Sequence, residues 1–258
     1  MQRTAALLAT CLALAATFAP AQTKDKDLKA YLDGVTERGR ALYAYDQAAW
    51  HGTDAFFELK PDTKGLTHYL CVKGPAGWRV VFPRWNESHD KLLIAYEALE
   101  SAPGKYEGSA DTPPAEASEA LTAMERALEL VFADFPRPSR PYNSAILPAD
   151  GGNFYVYLYP GQTKTTIWPL GGDVRYTISA DGRRIVEKRQ LHKTVLNMQF
   201  DPNLKIVGGQ HSHVLSDVPE DTDVLYVLNR RPSIPEYIGA GKRVFEVQTD
   251  GSIQVVKK

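Results

Sequence analysis

Hydrophobic residues recur at helical spacing near the start of the chain. Leu28, Tyr31, Leu32, Val35, Leu42, Tyr45 and Ala49 share one face of a 3.6-residue period and predict a long amphipathic helix. Gly52 is expected to end or bend it, and Pro61 with Gly65 closes the segment. Two β-rich runs, 67–73 and 78–82, then flank a Gly-Pro-Ala-Gly turn, and a third, 92–98, follows a polar connection. This pattern predicts a three-stranded antiparallel meander with the helix over one face. The stretch 101–114, SAPGKYEGSADTPP, reads as a loop by composition, with Thr112 as N-cap of the next helix. That helix carries Ala117, Leu121, Met124, Leu128 and Val131 on one stripe and must stop before Phe135-Pro136.

Beyond the Pro-rich FPRPSRP the pattern turns to period two. Strands are expected at 154–159, 174–179 and 184–190, the last two joined by the turn Ala180-Asp181-Gly182. Further strands are expected at 191–198, 205–215, 244–247 and 253–256. A short helix near Pro219, capped by Ser216 or Asp217, interrupts them, with Glu220, Asp221 and Asp223 in its first turn. The fold class is therefore α+β, with antiparallel sheets and a few helices. A helix-meander-helix lobe, 22–135, is expected to precede a β-rich lobe, 136–258.

The first 21 residues change the setting. Arg3 forms a short positive segment, residues 5–18 an apolar one, and Ala19-Pro20-Ala21 a small-residue cleavage site before Gln22. The expectation is a Sec-type signal peptide, 1–21, and a periplasmic or secreted mature protein. Its only cysteine would be Cys71, expected as a buried strand residue because one cysteine makes no internal disulfide. The formal net charge of −1 becomes −2 once Arg3 is removed, which argues against nucleic acid or an anionic membrane surface as the main partner. No later apolar run is long enough to span a bilayer, so the mature chain is expected to lack a transmembrane segment.

One constellation carries chemistry. His211-Ser212-His213 sits at the end of an expected strand, where period-two geometry puts both imidazoles on one face, and acidic residues follow at Asp217, Glu220, Asp221 and Asp223. This spacing resembles the active site of JAMM-type zinc metalloproteases, in which His-x-His-Pro precedes a Ser-x-x-Asp at a helix start. The resemblance implies His211, His213 and Asp223 as zinc ligands and Glu187 as general base. Val214 stands where that family has proline, Glu220 stands near the serine position, and the gap to Asp223 is about one residue short. The ordinary alternative is that acidic residues crowd a helix start to complement its dipole while the histidines face solvent or cap a carbonyl.

Other features point to structure. Tyr155, Tyr157 and Tyr159 share a strand face, which suits stacking on a sugar or peptide but more often serves packing. Gly171-Gly172 and Gly208-Gly209 lack a phosphate-binding frame, and no Gly-x-Ser-x-Gly, CxxC or Ser-x-x-Lys motif is present. The segments PLGGDVRYTISADGRRIVEKR, HVLSDVPEDTDVLYVLNRRPSIPEYI and ALYAYDQAAWHGTDA resemble an uncharacterised family of exported bacterial proteins without assigned activity. In that resemblance His213 through Asp223 is a plain strand-to-helix junction. The favoured expectation is thus a non-enzymatic envelope or secreted protein that binds an envelope protein, peptide or glycan, with no cofactor. The alternative is a zinc-dependent hydrolase of peptide or amide bonds centred on His211 and His213.

Overall fold

A computed structural model describes residues 25–256 except 137, 200 and 202. The expected signal peptide lies outside the described residues. The chain opens with α1 (Asp25–Glu58), then β1 (Leu70–Gly74), β2 (Gly77–Trp85), β3 (Leu92–Ala102) and β4 (Lys105–Glu116), which form one antiparallel sheet in that order. Gly52 neither ends nor bends α1 out of helix; a Cβ there would lie 2.5 Å from Val80 on β2, so glycine is the residue that lets helix and sheet touch. The meander gains a fourth strand from the stretch expected as a loop. Its Gly, Ser and Pro content reads as loop locally, but pairing with β3 supplies the ladder, and an edge position tolerates the prolines. Ser118, not Thr112, caps α2 (Glu119–Asp134), its hydroxyl accepting the Leu121 N–H at 3.3 Å.

Next come β5 (Tyr142–Pro148), β6 (Phe154–Pro160), β7 (Ile167–Gly171), β8 (Val174–Ile178), β9 (Ile185–Gln190) and β10 (Val195–Gln199). Strands β5, β6, β8 and β9 form an antiparallel sheet in that order, while β7 pairs with β10. The closing unit is β11 (Gly209–Ser212), α3 (Asp221–Asn229), β12 (Glu236–Ala240), β13 (Arg243–Val247) and β14 (Ile253–Val255). The α+β class with antiparallel sheets stands, and among the described residues β11 against β12 is the parallel pair. Parallel neighbours need a crossover, and α3 is that crossover. Its start is later than expected: Glu220, rather than Ser216 or Asp217, occupies the N-cap, and its N–H donates to the Asp223 carboxylate at 2.7 Å. Strands β5, β7 and β12 were not expected; the strands expected at 191–198 and 205–215 shrink to β10 and β11.

Two hydrophobic clusters hold these layers. The larger runs from Leu42, Tyr45 and Phe56 on α1 through the meander and α2 to Val156, Leu158, Tyr176 and Ile178 on the second sheet, and so draws on both sides of FPRPSRP. The smaller joins Leu28, Leu32 and Val35 of α1 to Val224 and Val227 of α3 and to Ile238, Phe245 and Val247 of the last sheet. Helix α1 therefore serves both cores, its first turns docking on the C-terminal unit and its later turns on the meander, and α3 adds Leu225 to the larger core. Cys71 is buried on β1, as its isolation suggested, and burial pushes its thiol up, away from the reactive thiolate. Among the described residues no helix is long and apolar enough to cross a membrane.

Candidate metal centre

Four side chains from three separate segments meet beneath α3. His192 follows β9, His211 lies in β11, His213 comes just after it, and Asp223 sits in the first turn of α3. Each brings one donor atom, and these atoms all lie within 4.8 Å of one another. The Nε2 of His213 is 2.9 Å from that of His192 and 3.2 Å from that of His211. The Asp223 carboxylate is 3.1 Å from His211 Nε2 and 3.2 Å from the Nε2 of both His192 and His213. Donors around a tetrahedral ion at zinc distances stand roughly 3.3–3.4 Å apart. The separations above approach that edge, with Asp223 meeting His192 and His211 through Oδ1 and His213 through Oδ2. The set is also shut off from water: the side chains of His192, His211, His213 and Asp223 are 9, 4, 1 and 0% exposed.

The proton positions follow from the far side of each ring. His192 Nδ1 is 2.7 Å from the Asp173 carboxylate, His211 Nδ1 is 2.9 Å from the Glu236 carboxylate, and His213 Nδ1 is 2.9 Å from the Val218 carbonyl. All three partners are acceptors, so each Nδ1 carries the hydrogen. In the neutral rings every Nε2 is then a lone pair, and three lone pairs aim at a carboxylate. Such a cluster repels itself unless a cation fills it. The charges around it agree. Asp223, Asp173 and Glu236 carry three negative charges and the buried Arg230, paired with Glu236, carries one positive charge. The remainder is the charge of one divalent ion, or of two protons.

In the ion-free site those two protons go to the rings. Burial, the strongest influence on His192, opposes its charging, but Asp173 and Asp223 outweigh it and push the ring up to about 11. His211 is likewise disfavoured by burial, yet its hydrogen bonds to Asp223 and Glu236 raise it to about 9. Burial also works against ionised Asp223, but His192 and His213 hold its carboxyl well below the usual range.

Local sequence explains how the four arrive together. Gly171 and Gly172 adopt φ values of 79° and 71°, a left-handed pair that turns the chain out of β7 and aims Asp173 at His192. Gly209 leaves room for the buried Arg230–Glu236 pair, because a Cβ there would fall 2.1 Å from a Glu236 oxygen. The α3 N-terminus is fixed by Asp221, which accepts from Tyr157 Oη at 2.7 Å and pairs with Arg175 at 3.0 Å and Arg38 at 2.9 Å. Beside it, Glu220 pairs with Arg189. With Asp221 so tied, Asp223 is turned inward onto the rings.

The structure brings His211, His213 and Asp223 into contact and adds His192, which sequence reading passed over. The signal for it was slight: an isolated histidine in a short connection, one of six in the chain. Glu187 is not part of the cluster. It lies exposed on β9, its carboxylate 3.4 Å from Thr177 Oγ1. Tyr157 and Tyr159 are buried and hydrogen-bonded, which is the packing role expected of that face. No protein-family model, curated protein or solved structure matches the chain.

Proposed function

We propose that this is an exported, non-enzymatic binding protein whose C-terminal unit is stapled by one divalent ion, zinc by preference, held by His192, His211, His213 and Asp223. The observation that carries the reading is the orientation of the rings: every Nδ1–H is engaged outward and every Nε2 converges on one buried carboxylate. Metal sites in proteins are built this way, with the outer hydrogen bond fixing the tautomer. Imidazole and carboxylate donors without a thiolate suit zinc and its first-row neighbours. Four protein donors in a buried, closed set leave no corner for water, which is the pattern of a structural centre.

The hydrolase alternative is weaker. It needs an open fourth position and a base beside it. Here His192 takes that position and Glu187 faces Thr177.

The test is metal content by mass spectrometry of untagged mature protein, beside a His192→Ala variant and a His211→Ala/His213→Ala variant. The expected result is about one ion per wild-type chain, with both variants depleted. Wild-type protein that stays metal-free after zinc is offered and the excess dialysed away would end this reading. Loss of metal in the double variant but not in His192→Ala would revive the open-site hydrolase.

A further inference from the structure

A cleft of about 560 Å³ opens between α1, α3 and the β6–β7 region, with Asp173, the partner of His192, in its wall. That volume falls within the usual range for small-molecule sites. Its walls are aromatic. Tyr69, Tyr159, Trp168 and Tyr226 line it, and Trp50, 59% exposed, stands at the rim with one ring face stacked on His51.

Along the floor runs an ordered row of neutral amides around one carboxylate. Gln47 donates to the Asn229 side-chain oxygen at 3.2 Å, Asn229 donates to Asp46 at 3.0 Å, and Tyr159 Oη donates to Asp46 at 2.8 Å. These contacts fix the orientation of the row before any ligand arrives. Thr222 lines the cleft and is only 5% exposed, and its Oγ1, itself closed to solvent within the wall, has no hydrogen-bond partner. A buried hydroxyl left in that state costs free energy, which a ligand polar group recovers if the wall shifts enough to admit it.

The chemistry of the lining selects among ligand classes. Asp46, Asp54 and Asp173 oppose an anion. A simple cation matches the carboxylates but not the amide N–H donors, and Arg231 also lines the cleft. Hydroxyl groups donate and accept at once, which matches a mixed row of amide and carboxylate, and the C–H face of a sugar ring lies flat on an aromatic ring. We infer that this cleft binds a neutral, hydroxyl-rich ligand of mono- to disaccharide size, stacked between Trp50 and Trp168 and hydrogen-bonded to Asp46, Asn229 and Thr222. The inference stands on the cleft and does not require the ion.

The experiment is calorimetric titration of the mature protein with N-acetylglucosamine, its β1,4-linked disaccharide and maltose, with tetramethylammonium and succinate as charged controls. Asn229→Ala and Thr222→Val are titrated in parallel, after circular dichroism shows each to be folded. Thr222→Val keeps the shape of the side chain and removes only the unpartnered hydroxyl. The expected result is saturable binding of at least one saccharide with Kd below about 1 mM, weakened about tenfold or more in Asn229→Ala and severalfold in Thr222→Val. No saccharide binding below about 10 mM overturns the inference. So does tetramethylammonium or succinate binding alone, or saccharide binding that neither variant changes.

Discussion

At the scale of single residues, the decisive features are hydrogen-bond directions. Asp173 touches no proposed ion, yet it sets the tautomer of His192 from 2.7 Å. Asp173→Asn keeps the shape and removes the charge, and outer partners of this kind are worth about 10–100-fold in metal affinity. That loss is the expected outcome in competition with a chromophoric zinc chelator; an unchanged affinity would remove His192 from the centre. The same rings make the site respond to pH. In metal-free protein His192 and His211 are raised to about 11 and 9, above the unfolded value of 6.5. Their charged pairs therefore stabilise the metal-free fold fully below about pH 6.5, and this stability is lost as pH rises through 9 and on to 11. Loading zinc at neutral pH must expel both protons, so titration in two buffers of different ionisation enthalpy should report release of about two protons per ion. Release near zero would mean the rings are neutral before binding.

At the scale of elements, the contact that matters is α1 against α3. Gly39 on α1 passes so close that a Cβ would sit 2.3 Å from the Val224 Cβ and 2.7 Å from the Asp221 carbonyl oxygen. Gly39→Ala must push α3 away from α1, and overpacking of this kind costs about 1–3 kcal/mol. Because Asp221 and Asp223 share the turn that is pushed, the variant should lose metal affinity as well as denaturant stability. A stable Gly39→Ala protein with full metal content would show that the helix start does not position Asp223. The crossover β11-α3-β12 is what gives this small shift its reach: β11 carries His211, β12 carries Glu236, and α3 carries Asp223.

At the scale of the whole molecule, α1 and α3 each contribute to both cores, α3 through Leu225 to the larger and through Val224 and Val227 to the smaller. The proposed ion lies where the hairpin end after β9, the strand β11 and the crossover helix converge, segments far apart in sequence. Filling it at a thousandfold excess over Kd adds about 4 kcal/mol. For a chain of this size that corresponds to a rise in Tm of roughly 10 °C. Scanning calorimetry before and after chelation, at pH 7, measures it; coincident transitions would leave the cluster without a stabilising ion.

Much of this could be read without coordinates. Periodicity alone marks α1, the Leu121–Leu128–Val131 stripe of α2, and the strands β6, β8, β9 and β13, because each has an alternation or helical stripe that its neighbours need not supply. The His211/His213 pair with Asp223 downstream was legible for the same reason: two residues apart on a strand means one face. What local pattern could not convey depends on partners distant along the chain. The loop-like Gly, Ser and Pro content of β4 is overruled by pairing with β3, and Gly52 continues as helix because Val80 lies against it. His192 carries no local mark, since a metal-ligand set is defined by where lone pairs point in space. Local pattern therefore sufficed for α1, α2, most of the strands, the buried cysteine and three of the four clustered side chains, while β4, β5, β7 and β12 exist through pairing that no local pattern announced. That a fourth, His192, closes the set and that Glu187 stands apart came from the folded chain, because convergence of side chains is a property of packing between segments and not of spacing within one.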